Sequence, residues 1–217
     1  MLLKKASLSS NATDWLLKNT SSVFADPCAQ HVLGMMLAFG RQMLPSYRDQ
    51  LTDHSWHYHE RRYQSRLLTG QTVLLLGFGA IGHRIVELLA PFHVRILAVR
   101  RRVIATEGVE VVSEQELPRV LSYADHVVNI LPANASTEGF MSEERFLMLR
   151  PTALFYNVGR GITVDQGALI DALNKGRLAG AYLDVMEPEP LPPEHELWTT
   201  PRCYITPHTA GGRDRKS

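Results

Sequence analysis

The stretch TVLLLGFGAIGHRIVELLAPF, residues 72–92, decides the fold. Thr72 to Leu76 make a short apolar run of strand length, and Ile81, Ile85, Leu88 and Leu89 then recur at the spacing of one helix face. Between the two stand Gly77, Gly79 and Gly82 in the pattern GxGxxG. That pattern alone is weak evidence. Following a strand and opening a helix, it aims backbone N–H groups and the positive helix end at a pyrophosphate. Gly77 permits the tight turn, Gly79 lets phosphates approach and Gly82 lets helix and strand pack closely. With Ala80 and Ile81 at the helix start, these are the candidate cofactor-binding residues of the turn.

Downstream the pattern alternates. Strand VRILAV, a helix near residues 114–122, strand HVVNIL, helix EERFLML, strand ALFYNV, helix ALIDALNKG and strands AGAYLDV and CYIT follow in order. Such alternation implies right-handed crossovers and a doubly wound, parallel α/β domain of the Rossmann type, covered on both faces. Upstream, Asp26 and Pro27 mark the start of a helix running to about Tyr47 that is apolar around most of its circumference. A core helix and a subunit-interface helix both fit it, and the second implies a homodimer. Residues 48–69 are polar, rich in His and aromatics, and read as a connector with a short helix. His54, His57 and His59 cluster there without the Cys or carboxylate pattern of a zinc site, so no metal is expected.

Composition narrows the class. The 217 residues are 45% hydrophobic with a net charge of +1, enough for a real core and without the basic field that nucleic-acid binding requires. Cys28 and Cys203 are the two cysteines and lie far apart, which fits thiols in a reducing compartment. The start MLLKKASLSS lacks the apolar run of a secretory signal, and VLGMMLAF at residues 32–39 is too short to span a bilayer. A cytoplasmic address is expected.

Cofactor choice is read where the second strand ends. NAD enzymes usually place an acidic residue there for the ribose hydroxyls. Here the position holds Arg100, 18 residues after Gly82, followed by Arg101 and Arg102. Guanidinium groups bind a 2′-phosphate bidentately, so NADP is expected, while a merely solvated basic loop would leave NAD open.

The motifs GFGAIG, NILP, NVGRGITVDQGALIDAL, AGAYLDVMEPEPLP and LWTTPRCYITPHTAG, in this order, resemble the D-isomer-specific 2-hydroxyacid dehydrogenases, which include glyoxylate/hydroxypyruvate reductases. The resemblance implies a catalytic set of Arg160, Glu189 and His208, with Asp184, Val158 and Gly159 beside the nicotinamide and Leu131 and Pro132 beneath the cofactor. The chemistry accounts for these types. A guanidinium can hold the carboxylate and ketone of a 2-oxo acid, and a protonated His, favoured by a neighbouring Glu, can supply the proton the nascent alkoxide needs. The formate-dehydrogenase branch does not use a carboxylate next to the His, so Glu189 argues against that branch. The resemblance also implies a domain plan: residues 1–25 as a remnant of a substrate domain, 26–212 as the dinucleotide-binding domain and 213–217 as a tail. Two functions stay open, reduction of a small 2-oxo acid and cofactor binding without turnover.

Overall fold

The computed structural model describes residues 23–100 and 108–212. The expected tail, nearly all of the expected N-terminal remnant, and the candidate Arg101 lie outside them. Fourteen elements are used below: α1 (Ala25–Gly40), α2 (Met43–Leu51), α3 (Tyr58–Gln64), β1 (Thr72–Leu76), α4 (Ala80–Leu89), β2 (Arg95–Val99), β3 (Glu110–Val112), α5 (Leu117–Leu121), β4 (His126–Asn129), α6 (Glu143–Leu147), β5 (Leu154–Asn157), α7 (Gln166–Asn174), β6 (Gly180–Leu183) and β7 (Cys203–Ile205).

All seven strands are parallel and run in the order β3-β2-β1-β4-β5-β6-β7. The doubly wound sheet read from the sequence is therefore present, with β3 as an added edge. β3 leaves no mark in the sequence pattern because three residues are too few to show a period. The strand order reverses between β1 and β4, and in such sheets ligands bind in the crevice outside the carboxyl ends at that point.

Alternation along each strand divides the core. Leu74, Leu76, Val127 and Phe155 point to the face covered by α5, α6 and α7, where Val120, Phe146, Leu169 and Leu173 meet them. Val73, Leu75, Val128 and Tyr156 point to the other face, beneath Val32 and Met36 of α1 and Ile85 and Leu89 of α4. Because both faces are covered, the strands are apolar throughout rather than alternating in polarity.

The long N-terminal helix differs from its reading. It ends at Gly40, and its buried residues, Ala25, Cys28, Ala29, Val32, Met36 and Gly40, recur every three or four positions as a single stripe. The chain then turns through Gln42, whose φ is 57°, into α2, where nothing is buried. The cause lies at Gly40: its carbonyl accepts the Arg66 N–H at 2.7 Å, and a Cβ there would press on the Arg66 carbonyl. Residues 41–65 thus leave the sheet and return to the same point, closed further by the paired Arg61 guanidinium and Asp49 carboxylate.

Candidate active site

Register places the site. Val99, Leu76, Asn129, Asn157, Leu183 and Ile205 stand level across the sheet at or next to the carboxyl ends of β2, β1, β4, β5, β6 and β7. One to three residues beyond them come Arg100, Gly77, Leu131 with Pro132, Val158 to Arg160, Asp184 and His208. The candidates thus lie along one edge of the sheet, although they span more than a hundred residues of sequence.

The β1 half forms a cavity of about 730 Å³ lined by Gly77, Gly79, Arg100, Leu131 and Pro132 among others. That volume suits a small-molecule or cofactor site. Gly77 has φ +94°, a conformation costly to residues with a side chain, and a Cβ at Gly79 would meet nothing within 4 Å. A Cβ at Gly82 would sit 2.9 Å from the Phe78 ring, so this glycine sets how closely α4 approaches the turn. Ala80 and Ile81 form the first turn of α4, which follows directly on the cavity-lining Gly79. The half-buried Arg100 has no carboxylate partner among the described residues. Open glycine backbone, a helix start and an unpaired guanidinium are what a phosphorylated dinucleotide requires.

The β5 turn carries Arg160, and residues absent from the sequence reading hold it. Asn129, Asn157 and Thr163 are buried at 0%, 1% and 0% exposure. Asn129 Nδ2 donates to Asn157 Oδ1 at 3.1 Å and to Thr163 Oγ1 at 2.7 Å. Asn157 Nδ2 and the Thr163 hydroxyl both donate to the Arg160 carbonyl, at 3.2 and 2.6 Å. The Leu131 and Gly159 N–H groups donate to the two Asn side-chain oxygens. A Cβ at Gly159 would lie 2.8 Å from the Leu131 carbonyl, and one at Gly161 would land on the Met186 carbonyl. Backbone contact therefore draws the β4, β5 and β6 turns together. Val158 is buried in the core, so only its backbone is presented. The Arg160 side chain is exposed, with one N–H engaged by the Gly159 carbonyl at 2.6 Å and the rest without a partner among the described residues.

The β6 and β7 ends bring Glu189 and His208 together. His208 Nδ1 lies 2.7 Å from Glu189 Oε2. An ionised carboxylate only accepts, so Nδ1 carries the proton of this bond and Nε2 is left facing outward. Glu189 Oε1 accepts the Met186 N–H at 3.0 Å, which fixes the carboxylate in turn. Asp184 is 1% exposed and turns toward the His208 loop, accepting from Thr206 Oγ1 at 2.5 Å and from the Thr209 and Ala210 N–H groups at 2.9 Å each. Its backbone carbonyl accepts the His208 N–H, also at 2.9 Å. Beneath it lies Cys28 of α1, whose thiol burial pushes up to about 11, with Asp184 adding to the rise and Arg160 opposing it. Tyr182 and Thr206 have no signal in the sequence beyond polarity at a strand end.

A family model described as the NAD binding domain of D-isomer specific 2-hydroxyacid dehydrogenase matches residues 33–210. An uncharacterised protein of Corynebacterium melassecola is 38% identical over 200 residues, 91% of this chain and 64% of its own length. Glyoxylate reductase/hydroxypyruvate reductase of Homo sapiens is 33% identical over 199 residues, 90% of this chain and 60% of that protein. Among solved structures, a D-isomer specific 2-hydroxyacid dehydrogenase from Xanthobacter autotrophicus Py2 in complex with NADPH and MES has a TM-score of 0.79 at 35% identity, covering 86% of this chain and 58% of that one. The chain therefore spans 58–64% of the length of these relatives.

Proposed function

Because this chain belongs to the D-isomer specific 2-hydroxyacid dehydrogenase family, we propose that it serves the reduction of a small 2-oxo acid to the D-2-hydroxy acid, with NADPH as the electron donor and glyoxylate or hydroxypyruvate as the substrate. The observation that carries the reading is the 2.7 Å His208–Glu189 pair, set beyond the same sheet edge as Arg160. The relatives that act on glyoxylate and hydroxypyruvate or bind NADPH support it.

In this reading Gly77, Gly79, Ala80, Ile81 and Gly82 hold the pyrophosphate, and Arg100 with Arg101 reads the 2′-phosphate. Leu131, Pro132, the Val158–Gly159 backbone and Asp184 bound the nicotinamide end. The nicotinamide, when bound, supplies the electron pair that reduces the carbonyl carbon. Arg160 binds the substrate carboxylate and turns the ketone toward His208. The outward Nε2 of the imidazolium gives its proton to the carbonyl oxygen while Glu189 holds Nδ1 and keeps the ring aimed. The test is NADPH oxidation with a panel of small 2-oxo acids. Arg160→Ala and His208→Asn should each lower kcat/KM by at least about 100-fold, the ordinary range for a positioned acid. Wild-type protein that consumes none of these acids would reject the reading.

A second reading, NADP(H) binding without turnover, is favoured by the openness of the acid–base pair, whose side chains are 51% and 33% exposed. Saturable NADPH binding with no 2-oxo acid consumed would select it. We further infer a homodimer through residues 24–67, where Met43, Tyr47, Leu51, Trp56, Tyr63 and Leu67 are all exposed. Light scattering at micromolar concentration should give twice the 24.4 kDa chain mass. Trp56→Ser together with Tyr63→Ser should return it to one. We take residues 26–212 as the dinucleotide-binding domain, and a cytoplasmic address accords with the free Cys28 and Cys203.

A further inference from the structure

We infer that Thr206 and Tyr182 are positioning residues for His208, acting through the buried carboxylate of Asp184. The inference rests on the reading of His208 as the proton donor. It goes beyond that reading by naming the groups that hold the histidine.

The hydrogen-bond directions follow from counting protons. Thr206 has a single hydroxyl hydrogen, and the carboxylate 2.5 Å away can only accept it. The Tyr182 hydroxyl lies 2.6 Å from Thr206 Oγ1 and 3.5 Å from Asp184 Oδ1, so its hydrogen goes to the nearer threonine oxygen while the hydroxyl also borders the carboxylate. Tyr182 itself is fully buried on β6, and its ring stacks on His31 of α1 with centroids 5.6 Å apart. A one-way chain therefore runs from the helix floor through two hydroxyls to Asp184.

Asp184 passes this order on to the loop. It holds Thr206 on one side of His208 and the Thr209 and Ala210 N–H groups on the other, so the histidine is spanned by bonds to one carboxylate. The His208 N–H points back into the same residue through the Asp184 carbonyl and is shared with the Thr206 carbonyl at 3.0 Å. Between these restraints His208 has φ 52°, the left-handed region, uncommon for a residue with a Cβ. The imidazole is half exposed, and the restraints the structure shows on this conformation are the backbone and carboxylate hydrogen bonds around it. The hydroxyl chain is the part of the restraint that a side-chain change can remove without touching Asp184, which the cofactor reading also uses.

Thr206→Val deletes the hydroxyl at nearly constant volume, and Thr206→Ser restores it. In the full 217-residue chain, nitrogen-edited NMR should show a downfield, hydrogen-bonded Nδ1–H of His208, assigned by its loss in His208→Asn. Thr206→Val should lose this resonance and lower kcat about tenfold with KM for NADPH within about twofold, as expected when an acid drifts from its geometry while the cofactor site is intact. Thr206→Ser should recover both. Tyr182→Phe, which keeps the ring on His31, should weaken both in the same direction and stands in if Thr206→Val fails to fold. A Val variant with an unchanged resonance and kcat would overturn the inference. Should no protein turn over any 2-oxo acid, the reductase reading fails, while the resonance still decides the positioning role.

Discussion

Two buried polar residues three positions apart on β4 do opposite work. His126, at the amino end, is 2% exposed and turns inward: Nε2 lies 2.5 Å from Gln71 Oε1 and Nδ1 lies 2.9 Å from the Tyr156 hydroxyl. Gln71 can only accept through that oxygen, so Nε2 donates and the neutral Nδ1 accepts from the phenol. Every polar atom of the ring is spent on the core. Asn129, at the carboxyl end, instead donates to Asn157 and Thr163, which lead on to the Arg160 backbone, and accepts from the Leu131 N–H of the next turn. The same four-residue strand is closed at one end and shapes a site at the other. Buried polar groups must find partners in both cases, and only where those partners are loops does the bonding reach the chemistry.

Substitution at the carboxyl end tests this division hardest. Asn129→Leu should cost about 100-fold in kcat/KM, the scale on which a displaced positioning group acts. His126→Leu should leave kcat/KM within about twofold, although each variant strands a buried partner and loses roughly 1–3 kcal/mol of stability. Urea titrations beside kinetics would separate the two, and equal kinetic losses would erase the distinction between the ends.

The pH dependence of stability probes the amino end alone. Burial holds the His126 imidazole down at about 4, against 6.5 for a free ring. Below 6.5 the unfolded chain takes up this proton and the folded one does not, so stability falls as pH drops from 6.5 to 4 and levels beneath. The slope from this ring approaches about 1.4 kcal/mol per pH unit. Unfolding of His126→Gln across roughly pH 4–7 should be flatter than wild type by that amount, and parallel curves would show that the ring protonates without cost.

The smallest effect concerns the cavity. Arg100→Asp should move the NADPH-to-NADH preference by about tenfold, the worth of a charge-assisted contact of about 1.4 kcal/mol, with no change in melting temperature. Fluorescence titration with both cofactors measures it.

What could be read in the sequence was what repeats locally. TVLLL, HVVN and GAYL are apolar because both faces of their sheet are covered, and the strand–glycine–helix junction at residues 72–82 follows from backbone geometry within one turn. Glu189 and His208 are singled out by the order of motifs that carries the family resemblance, and the structure brings them into contact. Partners such as Asn129 with Asn157, or Tyr182 with Thr206, lie 28 and 24 residues apart, and no period links them. The break in the N-terminal helix is marked locally by Gly40 and Pro45, while the contact that fixes it, the return of Arg66 to Gly40, is not local.

The left-handed backbone of His208 bears on how such a site could be improved or lost. Glycine in its place would relieve the conformation but add unfolded-state freedom of similar size, so stability should move by less than about 1 kcal/mol while the group proposed as proton donor is lost. The left-handed turn therefore sets little stability against the histidine, and a screen that scores folding alone would not separate the two residues. Asparagine tolerates the same backbone, which makes it the substitution that isolates the imidazole from the strain.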